Sequence, residues 1–289
     1  MTQKFLYLIL SISVFHSMSY SQAVSEAFKI YDVFGKATTW KKLLKRAKNS
    51  EVVFFGEYHD DPIIHFLQFR MLKELANENR NLALGLEMIE FQDAEVLRAY
   101  IEKELDIQAF LRQSQSLWPN YKTDYKHMVD FCRENNLHAF ASNVPRQWAS
   151  EVYKRGFEFL DTLDSDLKRL LPPLPIPYNP ELPGYKTMLK MSHGHGGEHL
   201  PKAQALRDAS MAWNVVQHIR EGFKILHLNG TYHTNNYEGI IWYLNQYRPN
   251  TTFLTIAMVR QKDISRLQEE HKGLADFIIA VPEDMTRTH

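Results

Sequence analysis

Residues 51–62 of the chain read Glu-Val-Val-Phe-Phe-Gly-Glu-Tyr-His-Asp-Asp-Pro. The first part of this stretch, Val52–Gly56, is uncharged and contains two valines and two phenylalanines, which is typical of a buried strand. Asp61 followed by Pro62 predicts the start of a helix, with the carboxylate as N-cap and the proline at the first helical position. Between them lie side chains that bind protons or metal ions, Glu57, His59 and Asp60. The stretch therefore predicts a strand, a polar turn and a helix, at the place where open α/β sheets bind ligands.

The same succession of apolar strand and helical segment recurs along the chain. Further apolar runs that are typical of strands lie at 30–33, 81–86, 137–141, 224–228, 252–258 and 276–281. Helical patterns lie between several of them, as at 39–48 and in the stretch that follows Pro62. Because crossover helices must pack on the faces of a sheet, this succession predicts an α/β fold with a mainly parallel, mixed central sheet flanked by helices.

The segment between about residues 93 and 200 is predicted to be a helical insertion in this succession. Helical patterns cover 93–113 and 121–134. The proline-rich residues 171–180 predict an extended connector, since each proline removes a backbone donor and fixes its own backbone angle. With this insertion, residues 23–289 are predicted to form one domain, a length that can bury a large core.

The charge of the chain limits the classes of partner. The 289 residues carry 34 Lys and Arg against 34 Asp and Glu, which gives a net charge of zero. Nucleic-acid-binding proteins usually carry a basic excess, so no nucleic-acid partner is expected.

The N-terminus has the layout of a secretory signal peptide over residues 1–22. Lys4 precedes an apolar run at 5–15 and a stretch of small polar residues, and the run is shorter than a membrane span. The protein is therefore expected to be exported, to the periplasm or the cell envelope. The single cysteine, Cys132, lies far from this signal, so we expect neither a lipobox cysteine for a lipid anchor nor an internal disulfide.

Polar side chains follow several of the predicted strands at the point where each strand ends. They are Glu57 with His59, Glu87, Asn143 and His233. Because the carboxyl ends of parallel strands meet at one edge of a sheet, these side chains are expected to converge. A capping or solvated role is the more common outcome for any single glutamate, but the recurrence in register favours a site.

Two carboxylates brought together at the rim of an apolar sheet lose solvation, which a shared proton, a cation or a metal ion must offset. The candidate cation is Arg207, on a helical stretch that leads towards one of the strands, although a surface salt bridge is an equally good interpretation of it. Glu57, His59, Glu87, Arg207 and His233 are therefore the candidate catalytic residues. All of them except the arginine are also candidate ligands of a divalent metal ion.

A second concentration of metal-binding side chains lies within residues 188–199. Three histidines stand there among three glycines, at His193, His195 and His199. Imidazole ligates many metals and haem iron, and the nearby Tyr185 offers a phenolate, which also ligates ferric haem. The alternative is a solvated surface loop, because a glycine-rich loop lacks the preorganisation that a tight site needs.

Taken in order, these residues resemble the motifs of a known family. The features are Gly-Glu-Tyr-His at 56–59, Glu87, Asn-Val-Pro at 143–145, Arg-Asp at 207–208 with Met-Ala at 211–212, and a second Gly-x-x-His at 230–233. They are similar to the ChaN branch of the haem-binding uptake/Tiki superfamily over about residues 52–258. A single Gly-x-x-His is a weak signal, but two that bracket the glutamate and the arginine helix are fairly specific.

The resemblance implies a mixed α/β core with a helical insertion. In ChaN-type members it also implies an iron-regulated, outer-membrane-associated lipoprotein that holds pairs of haems between subunits. Haem is then the cofactor, and a homodimer and an outer-membrane haem-uptake machinery are the implied assemblies. Related branches are Tiki metalloproteases and erythromycin esterase-like hydrolases, which use the equivalent glutamates and histidines for chemistry. The missing lipobox cysteine departs from the family pattern and leaves the anchoring open.

Two functions therefore stay open. The first is an exported haem-binding protein of an iron-acquisition system, with haem held largely by the helical insertion through His193, His195, His199 or Tyr185. The second is a hydrolase of the esterase or peptidase type, whose strand-end glutamates and histidines activate water directly or through a divalent metal while Arg207 stabilises developing negative charge. The resemblance and the histidine-rich stretch favour the first function, and the strand-end residues favour the second.

Overall fold

A computed structural model of the chain describes residues 26–191, 197 and 199–288, and the predicted signal peptide lies outside them. The described residues form one sheet of seven strands, which are β1 Lys29–Asp32, β2 Val52–Glu57, β3 Leu82–Glu90, β4 His138–Asn143, β5 Lys224–Gly230, β6 Phe253–Gln261 and β7 Phe277–Pro282. Their order across the sheet is β1-β7-β6-β2-β5-β3-β4. All pairs are parallel except that of β1 with β7. The predicted α/β fold with a mainly parallel, mixed sheet is confirmed.

Helices cover both faces of this sheet. They are α1 Trp40–Lys48, α2 Pro62–Ala76, α3 Ala94–Ile101, α4 Ile107–Gln113, α5 Lys126–Glu134, α6 Arg146–Arg155, α7 Glu158–Asp161, α8 Ser165–Lys168, α9 Pro183–Met191, α10 His199–Arg220 and α11 Ile240–Tyr247. Within the described ranges, none of the helices combines the length and the apolar character that a membrane crossing requires.

Strand β2 lies in the middle of the sheet, and all of its residues are buried. Because side chains alternate along a strand, Phe55 packs into the core beneath α2 and Phe54 into the core beneath α10. A Cβ atom at Gly56 would lie 2.7 Å from the carbonyl oxygen of Ile256, so only glycine allows this close approach of the backbones. The pairing of β2 with β5 places Glu57 opposite Gly230, at the carboxyl edge.

The predicted start of α2 is confirmed. The Asp61 side chain accepts hydrogen bonds from the backbone N–H groups of Ile63 at 3.0 Å and Ile64 at 3.2 Å, and Pro62 is the first helical residue. Arg260 of β6 forms an ion pair with Asp61 at 3.2 Å. The turn that carries His59 is therefore tied to both α2 and β6.

Two of the predicted element boundaries need correction. Residues 93–113 do not form one helix: α3 ends at Ile101, and the chain passes through Lys103 at a φ of 68° before α4 begins. A residue in the left-handed region cannot continue a right-handed helix. Strand β3 also runs on to Glu90, with an irregularity in its pairing with β4 after Leu86. Glu87 therefore lies inside the strand and not just after its end.

His227 of β5 is a buried, neutral histidine. Its ring nitrogens lie 3.1 Å from Asn229 Oδ1 and 2.9 Å from Ser142 Oγ. Burial lowers its pKa to about 4 from the ordinary 6.5. Between pH 6.5 and pH 4, the His227 ring therefore binds a proton more readily in the unfolded chain than in the folded protein. The stability that His227 contributes is therefore present above pH 6.5 and is lost as the pH falls towards 4.

When the pH is lowered from 7 to 5, protonation of His227 in the unfolded chain should reduce the free energy of unfolding of the wild type by about 2 kcal/mol. We expect this loss to be absent in His227→Gln, because the variant has no imidazole to protonate at this position. Urea unfolding at the two pH values measures this difference. The control is His271→Gln, in the surface turn Glu269–His271, which should keep the wild-type pH dependence. Equal losses in the wild type and in His227→Gln would contradict the neutral, buried state of His227.

Candidate functional site

The structure brings four of the candidate site residues to the carboxyl edge of the sheet. Glu57 ends β2, His59 lies in the turn after it, and Glu87 lies in β3. His233 ends the short 3-10 turn that follows β5. These side chains form two hydrogen-bonded groups, one around Glu57 and one around His233.

The first group centres on Glu57, which is buried. Its Oε1 accepts a hydrogen bond from the Tyr125 hydroxyl at 2.6 Å and lies 2.7 Å from His59 Nδ1. Its Oε2 accepts a hydrogen bond from Gln68 Nε2 at 2.6 Å. Because a carboxylate only accepts hydrogen bonds, His59 carries a proton on Nδ1, and Glu57 sets its tautomer. Burial lowers the pKa of His59, but the hydrogen bond and charge of Glu57 outweigh burial and raise it overall.

The second group is a buried histidine held between two carboxylates. His233 Nδ1 lies 2.5 Å from Asp208 Oδ1, and His233 Nε2 lies 3.2 Å from Glu87 Oε1. The backbone N–H of Gly230 donates to Glu87 Oε2 at 2.7 Å. Burial opposes a charge on His233, but Glu87 and Asp208 outweigh burial and raise its pKa to about 10. His233 is therefore an imidazolium at neutral pH, and Glu87 is its ionised partner.

Gly230 separates the two groups. A Cβ atom at this position would lie 3.0 Å from His59 Nε2 and 3.6 Å from His233 Cδ2. Because glycine leaves this space open, both imidazoles border one cavity of about 520 Å³, which we call the inner cavity. Gln204 and Arg260 also line the inner cavity.

His59 also borders a second cavity, of about 530 Å³, which we call the outer cavity. The ring of Trp118 packs edge-on against His59, with the ring centroids 4.6 Å apart. The lining of the outer cavity is apolar at Leu117, Trp118 and Pro119, and its other residues, which include Glu90 and Arg146, are polar. His59 is thus shared by the two cavities.

The hydrogen bonds leave His59 Nε2 as the open atom of these two groups. Glu57 and Glu87 use both of their carboxylate oxygens, and His233 uses both ring nitrogens. Within the part of the chain that the structure describes, no group is hydrogen-bonded to His59 Nε2. The geometry therefore indicates that Glu57 positions the His59 ring. His233 and Glu87 form a buried ion pair that contributes charge to the site. His59 has the atom that can exchange a proton or ligate iron.

Arg207, the candidate cation, lies on α10 and is half-buried. Burial lowers the pKa of its guanidinium, and the charges of Glu87 and Glu90 act in the opposite direction. Arg207 therefore lies within the electric field of the second group, and its role as the stabilising cation stays a prediction.

Tyr185, on α9, lies behind the second group in the core. It is 4 % exposed, and its hydroxyl lies 3.4 Å from Asp208 Oδ2. Burial, with the charge of Asp208, raises the pKa of this phenol far above its ordinary value, which disfavours the phenolate that would ligate iron. A role in haem ligation would require this segment to move, so the assignment of Tyr185 stays a prediction.

The histidine-rich stretch is only partly described. His199 begins α10, and its Nε2 lies 3.3 Å from the position that a Cβ atom on Gly156 would occupy. His193 and His195 lie outside the described residues. The role of all three histidines as haem ligands stays a prediction.

The metal assignment of Glu57, His59, Glu87 and His233 also stays a prediction. In the structure these residues form the two hydrogen-bonded groups given above. No three or more His, Cys, Asp or Glu side chains among the described residues are placed to hold a metal ion.

Three residues that build the site have no role in the sequence-based hypotheses. Tyr125 belongs to a cluster of aromatic residues that in a helical pattern are more often core than cofactor site, Gln68 is given no role, and Asp208 enters only through a family motif. A signal for Gln68 was present, because a polar residue on the apolar face of a helix must find a partner. Gln68 is 0 % exposed and bonds to Glu57.

The fold and these two groups define an α/β protein with carboxylate–histidine clusters at the carboxyl edge of a mainly parallel sheet. A family model described as haem-binding uptake, Tiki superfamily, ChaN matches residues 43–244. The chain belongs to this family, which confirms the resemblance that the sequence motifs indicated. No curated protein matches the chain in sequence.

Solved structures share the fold. ChaN of Campylobacter jejuni, described with cofacial haem binding, is 18 % identical with a TM-score of 0.65, and the match covers 87 % of this chain and 96 % of that one. A Bacillus cereus protein is 12 % identical with a TM-score of 0.51, covering 84 % and 90 % of the two chains. The erythromycin esterase EreC is 13 % identical with a TM-score of 0.50, covering 89 % and 98 %. At such identities the likeness concerns the fold alone.

We expect Glu57→Gln to bring the pKa of His59 below the ordinary histidine value. The substitution removes the charge that raises this pKa and leaves the burial that lowers it. An NMR titration of the His59 ring measures the change. The control is Glu74→Gln on the surface side of α2, where Glu74 pairs with Arg70. A His59 pKa that is the same in Glu57→Gln and in the wild type would contradict the positioning role of Glu57.

Proposed function

We propose that the protein binds haem at the outer cavity, between His59 and residues of the segment 93–200. Family membership over residues 43–244 is the observation that carries the proposal. The fold shared with Campylobacter jejuni ChaN, whose structure is described as showing cofacial haem binding, supports it.

The residues around the outer cavity fit a haem. A bound porphyrin needs apolar surface, a ligand for its iron and basic groups near its two propionates. Leu117, Trp118 and Pro119 supply apolar surface, and Arg146 supplies a positive charge. His59 lines both cavities and would hold the iron through Nε2, the ring nitrogen on the side of Gly230, and its hydrogen bond to Glu57 would make the imidazole a more basic ligand. A bound haem would supply an iron centre at the carboxyl edge of the sheet.

The histidine-rich stretch is the natural source of a further iron ligand. His199 stands at the start of α10, the helix that carries Gln204 and Arg207 to the cavities. His193 and His195 precede it by a few residues in sequence. One of these three histidines would supply the second ligand of the iron.

We extend the proposal to an exported haem carrier of an iron-acquisition system. The signal-peptide pattern at residues 1–22 supports export to the cell envelope. The pairing of haems that the sequence resemblance implies supports a homodimer that passes haem to an outer-membrane uptake machinery.

A hydrolase is the second candidate function, and the open His59 Nε2 beside a fixed imidazolium favours it. In the inner cavity His59 would take a proton from water. The charge of His233, whose pKa is raised to about 10 by Glu87 and Asp208 despite burial, would stabilise developing negative charge nearby. This function uses the same nitrogen atom as haem binding, so the two differ in which cavity is occupied.

Titration with haemin, followed by visible absorption, tests the first function. We expect a saturable, shifted Soret band for the wild type and an affinity at least about tenfold weaker for His59→Ala, because the iron loses a ligand and Glu57 loses its partner. His271→Ala, in a surface turn, should bind as the wild type does.

Further variants identify which histidines ligate the iron and distinguish haem binding from hydrolysis. Replacement of His193, His195 and His199 by alanine shows whether the histidine-rich stretch supplies a ligand. A wild-type affinity in His59→Ala would remove His59 as the iron ligand. Absence of any saturable shift in the wild type would contradict haem binding, and turnover of an ester panel by the wild type and by His59→Gln would then test the hydrolase.

A further inference from the structure

A third cavity, of about 250 Å³, lies between α6 and α10, and we call it the side cavity. It shares Arg146 with the outer cavity and Gln204 with the inner cavity. Its lining also contains Arg207 and the small or apolar residues Ala149, Leu200 and Ala203. The three cavities therefore adjoin one another around His59 and Gln204.

Two guanidinium groups line the side cavity without a carboxylate partner. Among the described residues, no ion pair includes Arg146 or Arg207, and no hydrogen bond from either guanidinium is found; the backbone N–H of Arg146 donates to Glu90 Oε2 at 3.0 Å. Arg207 is half-buried: burial lowers the pKa of its guanidinium, the charges of Glu87 and Glu90 act in the opposite direction, and the nearby charge of Arg146 adds a smaller lowering. The exposed guanidinium of Arg146 and the half-buried one of Arg207 therefore keep their N–H donors available to an anion in the side cavity.

We propose that Arg146 and Arg207 form a subsite for a carboxylate group of the ligand that occupies the adjoining cavities. The planar fork of a guanidinium matches a carboxylate and can donate two hydrogen bonds to it. Glu87 and Glu90 act on Arg207 from nearby, so a singly charged carboxylate meets less repulsion here than a doubly charged phosphate. The apolar side chains of Leu200, Ala149 and Ala203 indicate that the carboxylate extends from an apolar body.

This inference deepens the proposed function and rests on it for the identity of the ligand, since the carboxylates of haem are its two propionates. The subsite itself depends only on the two arginines and the side cavity. Its test therefore needs one probe that is a haem and one that is not.

The first probe is haemin, compared with haemin dimethyl ester, which carries no free carboxylate. We expect Arg207→Gln and Arg146→Gln to weaken the binding of haemin about tenfold or more, because each loses a charged hydrogen-bond donor. The ester should bind the wild type and both variants with similar affinity. The matched controls are Arg155→Gln on α6 and Arg220→Gln on α10, which leave the side cavity unchanged.

The second probe is 3-phenylpropionate, compared by calorimetry with its uncharged amide. We expect the acid to bind the wild type more tightly than the amide does, and to lose this advantage in Arg146→Gln, whose exposed position favours an intact fold. Binding of the acid without binding of haemin would support the subsite and contradict the haem function. The subsite is overturned if neither haemin nor the acid changes its affinity between the wild type and the two arginine variants.

Discussion

The imidazolium of His233, held between the carboxylates of Glu87 and Asp208, is the interaction on which the rest of the site depends. It joins β3, α10 and the turn after β5 in one buried ionic cluster. Removal of one partner from such a cluster leaves an uncompensated buried charge, at a cost of about 3–5 kcal/mol. The cluster also fixes Gly230, whose N–H is bonded to Glu87. The carboxyl edge of the sheet is thereby held in one arrangement, and the shape of the inner cavity follows from it.

The hydrogen-bonded group around Glu57 has a different role, which is to orient the His59 ring. Glu57 receives hydrogen bonds from Tyr125 and Gln68 and holds the Nδ1 side of His59, and Nε2 lies on the side of Gly230, at the inner cavity. An imidazole with one nitrogen bonded to a carboxylate suits both iron ligation and proton transfer. The chemistry of His59 alone therefore does not choose between a haem protein and a hydrolase. The surroundings favour haem, because Trp118 and the two arginines provide an apolar face and positive charge.

The sequence predicts those features of the structure that depend on residues close together in the chain. Val52–Gly56 is apolar enough to be a central strand, and Asp61 before Pro62 is a sufficient signal for the start of α2. The convergence of Glu57, Glu87 and His233 follows from parallel topology, since strand ends share an edge. The bond from Tyr125 to Glu57 joins residues 68 positions apart, and that from Asp208 to His233 joins residues 25 positions apart. No local pattern marks such pairs, because they depend on how the turn before α5 and α10 pack against the sheet.

The most direct test of this site is the ¹⁵N NMR spectrum of the His233 ring, followed from pH 6 to pH 11. We expect both ring nitrogens to stay protonated through neutral pH and to titrate near 10, because two buried carboxylates hold the charge. The stability that this raised pKa provides would be complete below about pH 6.5 and lost as the pH rises through 10. A His233 that is neutral at pH 8 would contradict the ionic cluster, and with it the assignment of His59 Nε2 as the open atom of the site.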